Sequence, residues 1–240
     1  MRQIAEPDTA KEEVKRLVEG GVDCIKAIYS DVDPMDIGYR VPRLPLGVLE
    51  SLAVEALRHD LKLMVHTGSP KETTDAVRAG ADSIEHGILP GSDPTEFGDE
   101  LIQMMLDRGT YSIPTLAIAW SYRAKYPDVF SGPKRTTKRL DDAGVNLAAG
   151  IDSGTPGVVI GGGLHKELEL MVEAGISPMA AIKAGTMQAA KLLGKAEELG
   201  SIEPGKLADI IAVSGDPLKS IGDTKNIKLV IKRERFWSTD

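Results

Sequence analysis

Short apolar runs alternate along most of the chain with segments whose apolar residues recur every three to four positions, the rhythm of strands alternating with amphipathic helices. Asp8 or Thr9 can cap a helix running to Gly20 and Gly21, and VDCIKAIY (22–29) has the length and bounding of a buried strand. Val48, Leu49, Leu52, Ala53, Ala56 and Leu57 form one helical face, followed by the strand LKLMVH (61–66). The cycle continues through helix 70–80, strand ADSIEH (81–86), helix 97–109, strand TYSIPTLAIA (110–119), helix 132–144 and strand VNLAAGID (145–152). The expected fold is therefore α/β, with five strands of a parallel sheet, each preceded by a helix that ends near a glycine.

The polar residues Lys26, His66, His86 and Asp152 fall at or near the ends of these apolar runs. Parallel strands that present polar groups at their carboxyl ends build a site on one rim. From about Gly163 to Gly194 the pattern is helical, with Leu164, Leu168, Met171 and Val172 on one face and Pro178 opening a second helix. From Ser201 onward the texture changes to short runs separated by turn signals such as Glu203-Pro204-Gly205. The pattern predicts two parts: an α/β portion over 1–200 and a small β element over 201–240. The weakly patterned stretch from Tyr122 to Pro133 reads as a loop or lid.

With 42% hydrophobic and 27% charged residues, the 240-residue chain has ordinary globular composition. Net charge is -7 and the basic residues are scattered, so nucleic acid is not an expected partner and a small molecule is. Aromatics are 4% of the chain, which leaves an aliphatic core. The single cysteine, Cys24, reads as a buried small hydrophobe and fits a reducing compartment, hence a cytoplasmic location. No apolar run reaches the ~18 residues that span a bilayer.

Taken singly, His66 or His86 is more simply a core or capping histidine. As a pair on adjacent strands one βα unit apart, they suit a shared cation, because neutral imidazole is a common zinc ligand. Asp152 in AAGIDSG would face the same rim, or cap the following loop. Lys26, inside an apolar run, must snorkel, pair or be modified. His59 reads as a helix terminator. His165, after Gly161-Gly162-Gly163, reads either as a helix-start residue or as part of a substrate pocket, and Tyr29 is a further candidate for that pocket. Neither a Walker ending nor a G-x-S-x-G elbow occurs.

The runs VDCIKAIYSD, MVHTGSPKETTDAVRAGADSIEHG, AGVNLAAGIDSG, LHKELELMVEAGISPMAAIKAGTMQAAKLLG and LGSIEPGKLADIIAVSGDPL resemble the amidohydrolase superfamily, near its imidazolonepropionase-like and dipeptidase-like branch. The resemblance spans about Val22 to Val230. It implies a partial (β/α)8, TIM-like barrel equivalent to strands four to eight, followed by a small β-sandwich element. It also implies hydrolysis of C–N bonds in amides, cyclic amides or dipeptide-like substrates by a metal-activated hydroxide, with zinc as the expected metal, one or two ions. In that pattern Lys26 is the lysine whose carbamate bridges metals, His66 and His86 are ligands, and Asp152 both touches metal and moves protons.

Two departures accompany the resemblance. The family's first strand carries a His-x-His pair, whereas the histidines here are His59, His66, His86 and His165. Strands one to three have no counterpart, so the expectation is a homo-oligomer or part of a longer chain; the alternative is a non-catalytic domain stable only by association. Gly68 stands where some relatives place another histidine.

Overall fold

A computed structural model describes residues 3–31, 42–87, 95, 97–124, 130–233 and 235–238. The chain forms two compact units, Met1–Pro114 with Ser131–Asn146, and Thr115–Phe130 with Leu147–Asp240. The candidate lid lies partly outside the described residues.

In the first unit, helix α1 (Pro7–Glu19) has its N-cap at Glu6, two residues before the nearer expected cap, Asp8. Pro7 takes the first helical position, where its missing N–H costs nothing, and Asp8 falls in the first turn beside the unpaired amides. Helix α2 (Leu46–Arg58) packs on α1, and Ser51 Oγ donates to the Pro7 carbonyl at 2.9 Å. Val48, Leu49, Leu52, Ala53 and Ala56 are buried as the spacing predicts, but Leu57 is 80% exposed. At about 100° per residue it lies roughly 80° around the helix from Leu49, off the buried stripe.

Strands β1 (Cys24–Ile28), β2 (Lys62–Thr67), β3 (Ser83–His86) and β4 (Tyr111–Ile113) form a parallel sheet in that order. Helices α3 (Pro70–Ala79) and α4 (Asp99–Arg108) connect them and end in left-handed caps at Gly80 and Gly109. Ser69 caps α3 by accepting from the Glu72 amide at 3.3 Å. The register pairs Lys26 with Met64, Ile28 with His66, and His66 with Glu85. One face carries Ile25, Ala27, Leu63, Val65 and Ile84, all 3% exposed or less. Alternation puts Cys24, Lys26, Met64, His66, Ser83 and Glu85 on the other face. Cys24 is accordingly half-buried, not the core residue its type suggests.

Two expected strands come out differently. TYSIPTLAIA is a strand only through Ile113, and helix α5 (Leu116–Ser121) begins three residues later. Pro114 has no N–H for the ladder and Thr115 turns left-handed, so the sheet cannot continue. VNLAAGID carries no named strand among the described residues. It touches the sheet where the Ser112 amide donates to the Asn146 carbonyl at 2.9 Å, but the Ala149 amide donates to Ala184 instead. Helix α6 (Ser131–Ala143) precedes it as expected.

The second unit contains α5, α7 (Gly163–Glu173), α8 (Pro178–Lys183, capped by Ser177), a π-helical turn (Ala184–Gln188) and α9 (Ala189–Leu192). An added Cβ at Gly163, where α7 starts, would meet the end of the Ile151 side chain at 2.7 Å, which would have to shift. A small antiparallel sheet, β5 (Ile210–Val213), β6 (Ile227–Lys232) and β7 (Arg235–Ser238), follows with order β5-β6-β7. This is the β-structure that the turn-rich tail predicts. No helix among the described residues is long and apolar enough to cross a membrane.

Candidate metal and active site

His66 and His86 come together at the carboxyl ends of β2 and β3. The register sets Thr67, not His66, opposite His86, so a fully extended His86 would point to the helix-covered face. His86 instead adopts φ 68°, a left-handed conformation rare outside glycine. Gly87 follows, also left-handed. With the alternation broken, the His86 ring lies edge-on against His66, centroids 4.5 Å apart at 71°. Burial holds His86 well below the usual imidazole range, and the neighbouring His66 and Lys26 push the same way. A neutral imidazole is the protonation state that donates a lone pair to a metal.

Lys26 projects from the same face of β1, and its side chain is 46% exposed. Its ammonium lies 3.8 Å from Glu85 Oε2, and Glu85 Oε1 accepts from Ser83 Oγ at 2.7 Å. A lysine in an apolar run is thus accommodated by an open sheet face and a carboxylate partner. Glu85 is 8% exposed and was not among the site residues expected from sequence. The legible signal was a carboxylate in the apolar run SIEH, immediately before His86.

Tyr29, just past β1, is buried, and its hydroxyl donates to Asp75 Oδ2 at 3.1 Å. Burial, reinforced by Asp75, pushes the phenol up to about 12. Arg43 stacks over the Tyr29 ring at 5.1 Å and lies 3.7 Å from Glu72 and 3.9 Å from Asp31. Tyr29, Asp31, Arg43, Lys71 and Asp75 line a cavity of about 570 Å³. Sequence reasoning singled out Tyr29 in this group but missed Arg43.

Asp152 and His165 belong to the second unit. Asp152 is exposed, has φ 49°, and receives the Thr155 amide on its carbonyl at 3.4 Å. His165 Nδ1 meets Thr224 Oγ1 at 3.1 Å. That hydroxyl donates to the Ile221 carbonyl at 2.8 Å, so its one proton is spent and His165 Nδ1–H is the donor. The arrangement leaves His165 Nε2 as an acceptor. Burial and Lys225 together lower the His165 pKa.

The family model described as Amidohydrolase family matches residues 6–235. The chain belongs to the amidohydrolase family. An imidazolonepropionase of Geobacillus kaustophilus (strain HTA426) is 33% identical over 137 residues, 57% of this chain and 28% of that protein. An adenine deaminase of Clostridium botulinum (strain 657 / Type Ba4) is 29% identical over 144 residues, 60% of this chain and 22% of that protein. A solved Xaa-Pro dipeptidase with bound methionine in its active site superposes with TM-score 0.82 at 30% identity, over 98% of this chain and 59% of that chain. The chain thus spans under a third of the two curated relatives and about three fifths of the solved dipeptidase. These relationships place the parallel sheet in a partial amidohydrolase barrel.

Divalent metals are general in this superfamily, and the residues gathered here offer part of a donor set for one. Two adjacent imidazoles, one held neutral by burial, suit zinc or a neighbouring transition metal. Lys26 as an ammonium beside Glu85 offers no lone pair, whereas a carbamate on Nζ would. No group of three or more His, Cys, Asp and Glu positioned to hold a metal occurs among the described residues.

Proposed function

We propose that this protein is a metal-dependent hydrolase of C–N bonds in small amides, cyclic amides or dipeptide-like substrates. In this reading His66 and His86 hold the metal, Lys26 joins them as a carbamate, and Asp152 contributes a carboxylate ligand. A divalent metal, zinc first, would activate water and polarise the scissile carbonyl when bound. Asp152 would also take the proton from the attacking water and return it to the leaving amine. Tyr29 and His165 would line the substrate pocket, with Arg43 beside Tyr29 supplying a fixed positive charge. Residues 1–200 would form the barrel portion and 201–240 an accessory β element. The same reading includes a cytoplasmic location and a chain that works as a homo-oligomer or as part of something longer.

The observation that carries the proposal is the pair of histidines in edge-on contact on neighbouring parallel strands, brought together by strained backbone at His86. The second reading is a non-catalytic or vestigial domain stable only by association with another chain, which the family relationship does not favour. Metal analysis of the purified protein, followed by hydrolysis assays on dipeptides and cyclic amides with zinc, manganese and bicarbonate, decides between them. Metal bound in wild type and lost in His66→Ala, together with turnover, supports the hydrolase. Failure to retain metal or turn over any amide under all these conditions supports the second reading.

A further inference from the structure

Glu167 lies within α7 with none of its surface exposed, and both carboxylate oxygens accept backbone amides of α5: Leu116 at 2.8 Å and Ala117 at 2.7 Å. These are the first two residues of α5, whose N-cap Thr115 makes no side-chain capping bond. A short helix begins with unpaired donors, and here the buried carboxyl group of a residue on a different helix accepts from the first two of them. Thr115 itself has φ 48° and ψ 45°, a conformation that a β-branched residue holds only under constraint.

Non-glycine residues with left-handed φ among the described residues are Asp60, His86, Thr115, Asp152 and Arg233. Asp60 and Arg233 sit in turns. His86 ends β3, Thr115 comes two residues after β4, and Asp152 ends the run 145–152. Backbone strain therefore recurs at the end of β3, just past β4 and at the end of the run 145–152, and the proposed site uses two of those three positions. Strain at such positions persists only when its surroundings enforce it. Keeping a carboxylate in full burial is itself costly, and burial raises the Glu167 pKa to about 7 despite the two amide bonds.

We propose that Glu167 is a positioning residue for the proposed hydrolysis: by capping α5 it holds the Thr115 turn, which leaves β4, in the shape that turnover requires. This inference rests on the hydrolase reading. Its test compares wild type, Glu167→Gln and Glu167→Asp as full chains loaded with zinc, measuring kcat and KM on a dipeptide and cyclic-amide panel and amide exchange at Leu116 and Ala117. The expected result is a folded Glu167→Gln protein with exchange at both amides at least about tenfold faster and kcat at least about tenfold lower, while KM moves less than about threefold. Should Glu167→Gln fail to fold, Glu167→Asp, which keeps the charge and shortens its reach, is judged by the same kcat criterion. An active wild type whose folded variant keeps its kcat overturns the positioning role alone. A wild type inactive on the whole panel overturns the hydrolase reading and this inference with it.

Discussion

The two sheets are built from similar aliphatic residues and end in different physical environments. In the parallel sheet, Leu63 and Val65 are 1% and 0% exposed, and polar residues alternate with them on the opposite face. In the antiparallel sheet, Ile211 is 51% exposed and every residue of β7 is exposed, Phe236 and Trp237 included. Burial beside the first sheet holds the His86 imidazole well below its usual range, whereas the described strand residues of the second sheet are half-buried or exposed. The proposed site lies at the parallel sheet, where packing supports both the strain and the desolvation of His86.

The comparison breaks most sharply at the histidines. His86→Ala should abolish metal retention and lower kcat/KM by about a thousandfold or more, roughly 4 kcal/mol of transition-state stabilisation. Metal analysis beside steady-state kinetics checks both, and a variant retaining metal and rate would detach the pair from function. Core truncation sharpens the contrast between sheets: Leu63→Ala should cost about 2–5 kcal/mol in denaturant unfolding, whereas Ile211→Ala should stay within about 1 kcal/mol. Equal losses would mean that the second sheet is covered in solution.

Glu167 gives a pH dependence. Its folded-state pKa, about 7, lies above the ordinary 4.5, so the folded chain binds a proton that the unfolded chain releases. The corresponding stability is fully present below about pH 4.5 and is lost as pH rises through 7, on the order of 3 kcal/mol in total. Urea midpoints between pH 5 and 8 should show this slope in wild type, and Glu167→Gln should remove it. The smallest effect is expected at Ser69, whose cap on α3 is worth about 1 kcal/mol; thermal unfolding of Ser69→Ala measures it.

Much of this was legible beforehand because it depends on local pattern. The 3.6-residue stripe of α2, the Ser69-Pro70 and Ser177-Pro178 helix starts, the βα rhythm and the turn-rich tail follow from periodicity and backbone chemistry alone. So does the juxtaposition of His66 and His86 on neighbouring strands, each ending an apolar run with a glycine within two residues. Glu167 was legible only as an oddity, a charge one residue before Leu168 on the apolar stripe of α7.

What tertiary structure decided are the matters in which distant segments compete for the same groups. A residue's type does not say whether its ladder partner is present. TYSIPTLAIA stopped as a strand at Pro114, and the helix that follows has its first amides, of Leu116 and Ala117, taken by Glu167 about fifty residues away. VNLAAGID left the regular ladder where Ala184 took the amide of Ala149. Lys26 found Glu85 across the sheet, and His86 reached His66 only by leaving the strand conformation its sequence favours. The sequence by itself determined most of the elements, their order and the residue types able to bind a metal. Which hydrogen bonds, ion pairs and strained dihedrals those residues adopt depended on the packed chain, because each is a contest between partners far apart in sequence.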